Sequence, residues 1–391
     1  MYQALYFTFI ILLLSSFTGN CQDSTQAKIY FQKGDTMYMN GQLDSANFYY
    51  EKAGNIYEQL EDWPMMINCC RYIAFNLNLI SEYDQALKFV DRAMKIGEEK
   101  LGSTSVPVGG LYNTYGVIYH HKGRYDESIE FYNKSVKIFV NELGEHHANV
   151  ARTYNNIGEV YRDQSDYDKA MQFYLQTEII FVKIYGKDHP MLNKVYNNMG
   201  IIYEVTGDPD KALEYYELTI ALKQKMYGPD HPALSDTYNN VGIFYYNQKK
   251  IDKALEYHEK CLTLRLNAYG EISQDVAKSY SNIGELYLYK KDFSKALEYQ
   301  NKSLKIFIEL FGNYNPDPAL VYDRIAKIHI QKKDIKSALS YYQFALQSLL
   351  KGFNSNNPYE NPSLERINSP LTLLNVLTGK AESFFQIAFQ N

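Results

Sequence analysis

The histidines are the side chains whose spacing first suggests chemistry in this sequence of 391 residues. A neutral imidazole binds metal ions and transfers protons near pH 7. Adjacent pairs occur at 120–121 and 146–147, whereas a zinc site on a helix uses two histidines four residues apart. His147, His189 and His231 recur every 42 residues, and copies on stacked helices about 10 Å apart are too distant to share one ion. The sequence therefore predicts loop and capping roles for the histidines and no metal site.

Catalytic motifs are absent from the sequence. It contains no G-x-G-x-x-G, no G-K-[ST] and no G-x-S-x-G segment. The four cysteines, Cys21, Cys69, Cys70 and Cys261, show no spacing typical of a disulfide or metal framework. Since no nucleophile is paired with a base, we expect a chain that is not an enzyme and needs no cofactor.

Asparagine forms the most regular polar pattern. One position holds an amide four times and then a hydroxyl, at 42-residue intervals: Asn113, Asn155, Asn197, Asn239 and Ser281. An amide both donates and accepts hydrogen bonds, so a row of amides can hold the backbone of an extended peptide. The alternative is that these amides bond to neighbouring helices. We expect that stacking role for the asparagine that follows each of the last four positions, at 156, 198, 240 and 282.

Helical repeats must position these asparagines. Tyr154, Ile157, Gly158 and Tyr161 form one helical stripe, and a second stripe follows a short polar break. The small residue of the first stripe recurs every 42 residues at Gly116, Gly158, Gly200, Gly242, Gly284 and Ala326. A fixed period of this size is typical of stacked helix pairs. Eight such pairs between residues 27 and 350 predict an all-α solenoid.

The recurring glycine has to be explained, because glycine inside a helix costs about 1 kcal/mol relative to alanine. Ala74 and Ala326 hold the same place in two repeats, so we infer that small size is required there. We expect the second helix to cross closest at this point, with Ala170 as the facing small residue. A further series of glycines, among them Gly144 and Gly186, is placed to cap the ends of the second helices.

The spacing of small and aromatic residues resembles that of tetratricopeptide repeats (TPRs) from about residue 27 to residue 350. The 42-residue period, the YGKDHP and YGPDHP loops and the paired asparagines are most similar to the repeats of kinesin light chains. The resemblance implies a right-handed α-solenoid whose first helices line a concave groove, and a scaffold or adaptor that holds a peptide or partner protein in it. The candidate groove residues are Asn113, Arg152, Asn155, Arg162, Lys194, Asn197, Asn239, Asn247 and Lys278.

Composition limits the class of partner. A net charge of −5 and a pI near 6.0 lack the basic surface that nucleic-acid binding needs. The 38 tyrosines fall mainly on the helical stripes and are expected to pack between helices. We therefore expect a protein or peptide partner, whose identity the sequence does not name. It also leaves the oligomeric state open.

The N-terminus predicts export. Residues 4–17 form an apolar run of 14 residues, shorter than the roughly 20 that span a membrane. The run is typical of a secretory signal peptide over residues 1–21, which predicts a periplasmic or extracellular protein without a stable membrane span. Lipid anchoring through Cys21 is a weaker alternative, because Thr18 stands where a lipobox has Leu, Val or Ile. An uncleaved anchor or a cytoplasmic location is also left open.

The C-terminal part departs from the repeat. Residues 351–370 are rich in Asn and Pro and predict a linker, and 371–391 predict a lone helix, which we interpret as a truncated ninth repeat or a contact surface for another chain. This tail is weakly similar to the segment before the protease-like CHAT domain of exported bacterial repeat proteins. An alternative function is thus the regulatory or sensing N-terminal part of a larger CHAT or histidine-kinase protein, truncated at residue 391.

Overall fold

Helix pairs make up the fold. The computed structural model describes residues 23–350, 352–362 and 369–389, and every regular element within these ranges is helical. The chain divides into two compact parts, an N-terminal unit up to Ile202 and a C-terminal unit from Tyr203. The predicted signal peptide lies outside the described residues. Within them, no helix is long and apolar enough to cross a membrane.

The N-terminal unit contains four helix pairs and most of a ninth helix. These are α1 (23–39), α2 (Leu43–Gln59), α3 (Trp63–Leu79), α4 (Tyr83–Leu101), α5 (Val106–His121), α6 (Tyr125–Leu143), α7 (Ala148–Asp163), α8 (Tyr167–Tyr185) and α9 (Leu192–Thr206), within which the boundary falls.

The C-terminal unit continues the same alternation and ends on a single helix. Its helices are α10 (Pro209–Tyr227), a 3-10 turn (Pro232–Leu234), α11 (Ser235–Asn247), α12 (Ile251–Tyr269), α13 (Gln274–Tyr289), α14 (Phe293–Phe311), α15 (Pro316–Gln331), α16 (Ile335–Leu349) and α17 (Pro370–Phe389).

The glycine of the first helix faces an aromatic ring of the second. A Cβ added at Gly158 would lie 2.6 Å from Cε1 of Tyr174, and one at Gly116 would lie 2.5 Å from the ring of Tyr132. Both tyrosines are almost fully buried. The expected crossing beside Ala170 stays a prediction; at the equivalent place three repeats later, a Cβ on Gly284 would lie 3.2 Å from the carbonyl oxygen of Ala296. Small size is needed at Gly116 and Gly158 because the second helix inserts a tyrosine ring against the first.

Glycine also ends the second helices. Gly186 follows α8 with a φ of +84°, and its N–H donates to the Val182 carbonyl. This left-handed conformation is open to glycine at no steric cost.

Helix α17 covers the last helix pair. It packs against α15 and α16, and Leu373 and Val376 are buried in one apolar cluster with Tyr342 and Leu346. The burial of these side chains removes apolar surface from water. No second helix follows α17 within the described residues.

Residues 352–362, here called the strap, run without helix between α16 and α17. The strap is held by Lys380 of α17, which is only 1 % exposed. The Lys380 ammonium donates to Gln343 Oε1 and the Glu360 carbonyl at 2.7 Å, and to Asn361 Oδ1 at 3.1 Å. Burial lowers the pKa of Lys380 to about 8, because the charged form loses hydration that these neutral acceptors replace only in part. Part of the predicted linker is thus bound tightly to the fold.

Candidate partner-binding site

The first helices of successive pairs face one cavity in the N-terminal unit. Helices α1, α3, α5, α7 and α9 line about 730 Å³, with one residue from α6. We call this space the N-terminal cavity. Its lining includes the cations Arg71, Arg152 and Lys194, the aromatic rings of Phe31, Tyr72 and Phe75, the amides of Asn113 and Asn156, and the carboxylate of Glu159.

Arg71 is the central cation of the cavity. Its guanidinium donates to Thr114 Oγ1 at 3.3 Å and to Asn68 Oδ1 at 3.2 Å. Burial lowers the pKa of Arg71, and the positive charge of Arg152 lowers it further. Neither arginine has a carboxylate partner among the described residues. Two like charges therefore meet in one partly desolvated space, an arrangement that favours an added anion.

Glu159 balances the third cation. Its carboxylate accepts hydrogen bonds from Asn155 at 2.7 Å and Asn198 at 3.3 Å, and pairs with Lys194 at 2.8 Å. Arg162 donates to Asn198 Oδ1 at 3.1 Å and so joins the same network. Three polar groups thus converge on one half-buried carboxylate, which leaves Arg71 and Arg152 as the uncompensated charges among the described residues of the cavity.

The asparagines link neighbouring repeats. Asn156 donates to Asn113 Oδ1 at 3.4 Å, while Asn113 itself donates to Thr153 at 3.0 Å. In the C-terminal unit Asn282 donates to Asn239 at 3.1 Å. The second asparagine of one repeat thus bonds to the first asparagine of the repeat before it, so part of the hydrogen-bonding capacity of the amides serves the stack.

The other candidate residues occupy different surroundings. Asn155 is only 5 % exposed, and its Oδ1 is buried without a hydrogen-bond partner. In the C-terminal unit, Asn247 is exposed and donates to Glu204 at 2.8 Å, and Lys278 is exposed. Asn197 is half-buried. The structure therefore brings Asn113, Arg152 and Lys194 to the N-terminal cavity and places the remaining candidates elsewhere.

Comparison with known proteins identifies the repeat. A family model described as the tetratricopeptide repeat matches residues 107–178, 191–267 and 275–351, which together exceed half of the chain. The chain belongs to the tetratricopeptide repeat family. No curated relative matches it. TPR proteins generally mediate protein–protein interactions, and their scaffold fold is typically non-catalytic.

Solved structures support the same fold. BtubC (BKLC) from P. vanneervenii is 20 % identical over 60 % of this chain and 92 % of that chain, with a TM-score of 0.51. The Cut9–Hcn1 hetero-tetramer of the APC/C is 15 % identical over 89 % of this chain and 54 % of that chain, with a TM-score of 0.54. A putative kinesin light chain from Podosopora anserina is 16 % identical over 51 % of this chain and 95 % of that chain, with a TM-score of 0.44. The family match and the first two of these structures confirm the predicted TPR solenoid, and identities this low show the fold alone.

The tail resemblance stands apart from these matches. The similarity of the C-terminal segment to proteins with a CHAT domain stays a prediction. Reading the coding sequence past the codon for Asn391 tests it, because a larger enzyme requires an open frame that encodes a catalytic domain.

Histidines of the TPR loops cap helices. The Nδ1 atom of His147 accepts the Asn149 N–H at 3.1 Å at the start of α7. His189 and His231 accept the N–H two residues ahead in the same way, at 3.3 and 3.2 Å. Among the described residues, no three His, Cys, Asp or Glu side chains form a group able to hold a metal ion.

The cap predicts a measurable loss of stability. His147→Ala should lower the local unfolding free energy of α7 by about 1 kcal/mol, since one N–H of the first turn loses its acceptor. His147→Asp should keep most of that stability because a carboxylate also caps. Hydrogen exchange at the first turn of α7 measures both variants. The exposed neighbour His146 provides the control His146→Gln, and an equal loss in that control would contradict the capping role.

Sequence analysis missed Arg71 and Glu159. Arg71 lies 42 residues before Asn113 and so belongs to the same series of positions. Extending the period backwards by one step would have found it. In the sequence Glu159 resembles an ordinary solvated acid, because its partners Asn198 and Lys194 lie in the next repeat.

Proposed function

We propose that this TPR protein is a non-catalytic scaffold that holds an extended acidic peptide of a partner protein in the N-terminal cavity. The observation that carries the proposal is the pair of arginines, Arg71 and Arg152, which line one cavity without a carboxylate partner among the described residues.

The charges of the cavity favour a carboxylate ligand. A guanidinium binds a carboxylate through two parallel N–H donors, which gives both affinity and orientation. An incoming carboxylate would also relieve the repulsion between Arg71 and Arg152. The net charge of the chain is −5, so the attraction depends on these local cations.

The aromatic residues of the cavity favour apolar side chains between the acids. Tyr72 and Phe75 are 43 % and 39 % exposed, and Phe31 meets Tyr72 edge-on at 5.4 Å between ring centroids. Exposed aromatic rings beside cations are typical of surfaces that bind proteins. A segment in which acidic and apolar residues alternate satisfies both features, because an extended peptide turns successive side chains to opposite sides.

Fluorescence anisotropy with a labelled peptide tests the proposal. The probe is a fluorescein-labelled peptide of alternating glutamate and leucine, and its counterpart carries glutamine in place of glutamate. The full chain should bind the acidic peptide more tightly. Arg152→Gln should weaken that binding about tenfold, as expected for the loss of a charge-assisted hydrogen bond.

A matched control separates local contact from total charge. Lys88 is an exposed lysine on α4 that does not line the cavity, so Lys88→Gln removes the same charge at a distance. Equal affinity for the two peptides, or equal weakening by Arg152→Gln and Lys88→Gln, would contradict the proposal. Because Arg152 is exposed, its substitution should leave thermal unfolding unchanged.

A further inference from the structure

A second cavity lies in the C-terminal unit, and its lining differs in charge from that of the N-terminal cavity. It encloses about 410 Å³ beside the strap, with further walls from α15, α16 and the loop before α15. We call it the strap cavity. Its volume lies in the range of roughly 300–1,000 Å³ typical of small-molecule sites. Every lining side chain among the described residues is aromatic, amide or hydroxyl, so none of these carries a charge near pH 7.

Aromatic rings form the apolar part of the strap cavity. Tyr314 is 52 % exposed and Phe344 is 38 % exposed. The half-buried ring of Tyr322 lies 5.6 Å from that of Phe344, at an angle of 45°. Aromatic faces that stay open to solvent in a pocket offer flat apolar area at little cost in side-chain entropy. One face of a pyranose ring presents a matching flat surface of C–H groups.

Amide groups supply the polar part. Gln347 Nε2 donates to the Ser355 carbonyl at 2.8 Å and to Asn356 Oδ1 at 3.2 Å. Asn354 Oδ1 accepts from the Tyr314 hydroxyl at 2.8 Å. These bonds leave one acceptor, Gln347 Oε1, and two donor groups, Nδ2 of Asn354 and Nδ2 of Asn356, without partners among the described residues. Since a sugar hydroxyl both donates and accepts, it can use either kind of group.

The strap is fixed before a ligand arrives. Its carbonyl and amide oxygens at Glu360 and Asn361 bind the buried Lys380 ammonium, and the Ser355 carbonyl accepts from Gln343 and Gln347 at 2.8 Å each. The strap is therefore held by Lys380 and Gln343 as well as by the cavity residue Gln347, which lowers the entropy lost on binding.

We propose that the strap cavity binds a neutral saccharide. A pyranose ring would pack on Tyr314 and Phe344, and its hydroxyls would bond to Gln347, Asn354 and Asn356. Within the part of the chain that the structure describes, the lining offers no cation to a phosphate or carboxylate ligand and no carboxylate to an ammonium ligand. This inference is independent of the acidic peptide site in the N-terminal unit.

An array of immobilised oligosaccharides, probed with the full chain, tests the inference. The array carries neutral glucans, mannans, galactans and N-acetylglucosamine oligomers beside oligosaccharides that contain uronic or sialic acid. We expect binding to at least one neutral series. Titration calorimetry with the disaccharide of that series then gives the affinity, for which Tyr314→Ala should cause a loss of about tenfold. Tyr314→Phe should stay within about twofold, because it keeps the ring face.

Further variants make the outcome decisive. Asn356→Ala removes a free donor from an exposed strap residue and should weaken binding about threefold, the loss expected for one neutral hydrogen bond. Tyr269→Ala removes a tyrosine that is 53 % exposed and lies outside the cavity, and it should have no effect. Binding only to acidic oligosaccharides, binding to none, or an equal loss in Tyr269→Ala would each overturn the proposal. The acidic peptide should bind Tyr314→Ala normally, which separates this test from that of the N-terminal cavity.

Discussion

Lowering the pH from 7 to 4 should destabilise the α11–α12 helix pair by about 3 kcal/mol through His258 alone. Burial, with a smaller contribution from the positive charge of Arg265, lowers the pKa of His258 to about 4 from an ordinary value of 6.5. The side chain is 2 % exposed, and its Nδ1 has no hydrogen-bond partner among the described residues. Between pH 6.5 and 4 the unfolded chain binds a proton that the folded chain refuses. The stability is therefore complete above pH 6.5 and is lost as the pH falls toward 4.

The repeat itself supplies the matched variant. Gln300 is the equivalent of His258 one 42-residue period later. The Gln300 side chain packs beside Gly284, and the His258 ring packs beside Gly242 in the same way. His258→Gln should therefore fold and lose about 3 kcal/mol less than the wild type over this pH range. Hydrogen exchange in α11 and α12 measures the local free energy, because repeat arrays open locally. The exposed His146 provides the control His146→Gln, which should keep the wild-type pH dependence. If His258→Gln kept the wild-type pH dependence of stability, groups other than His258 would cause the loss of stability at low pH.

The 42-residue period predicts the helices but not which side chains of each helix are accessible. Spacing by 42 residues places Asn113 and Asn155 at equivalent positions. Asn113 nevertheless lines the N-terminal cavity, whereas Asn155 is buried beside Glu159. Which of two adjacent amides stays accessible depends on contacts with the neighbouring repeat, which join residues about 40 positions apart. Sequence periodicity therefore places Asn113 and Asn155 at equivalent positions but does not decide which of them is accessible.

Contacts between distant segments account for the rest of what sequence analysis missed. The Asn and Pro content of the strap predicts a linker, because these residues are typical of loops. Its attachment depends on Lys380, about 20 residues further along the chain. A lysine in an apolar helix gives no sign in the sequence that it will be buried. The strap cavity was missed for the same reason, since its lining joins a loop, two helices and the strap.

Substitutions of Gly158 and Tyr174 should have non-additive effects on the free energy of unfolding, because the two residues are in contact. Alanine is the better helix former by about 1 kcal/mol. Gly158→Ala should nevertheless destabilise α7–α8 by about 2 kcal/mol, because its Cβ would lie 2.6 Å from the Tyr174 ring. Tyr174→Val alone should cost about 3 kcal/mol through the lost ring. The double variant should be no less stable than Tyr174→Val, which gives a coupling energy of about 2 kcal/mol. Chemical denaturation of all four proteins measures that coupling.

Two repeats of this chain carry alanine in place of the glycine, one without the facing ring and one with it. Ala74 and Val90 have the same separation as Gly158 and Tyr174 and lie together in one core cluster, so alanine is accepted where the ring is absent. Ala326 and Tyr342 combine alanine with the ring, but there a Cβ on Gly379 of α17 would overlap the Tyr342 hydroxyl. In this repeat the glycine that faces the tyrosine ring therefore lies on helix α17. Gly379→Ala should therefore weaken the docking of α17, whereas Gly158→Ala weakens the α7–α8 pair. Strictly additive effects of Gly158→Ala and Tyr174→Val on the free energy of unfolding would contradict the ring as the reason for the glycine.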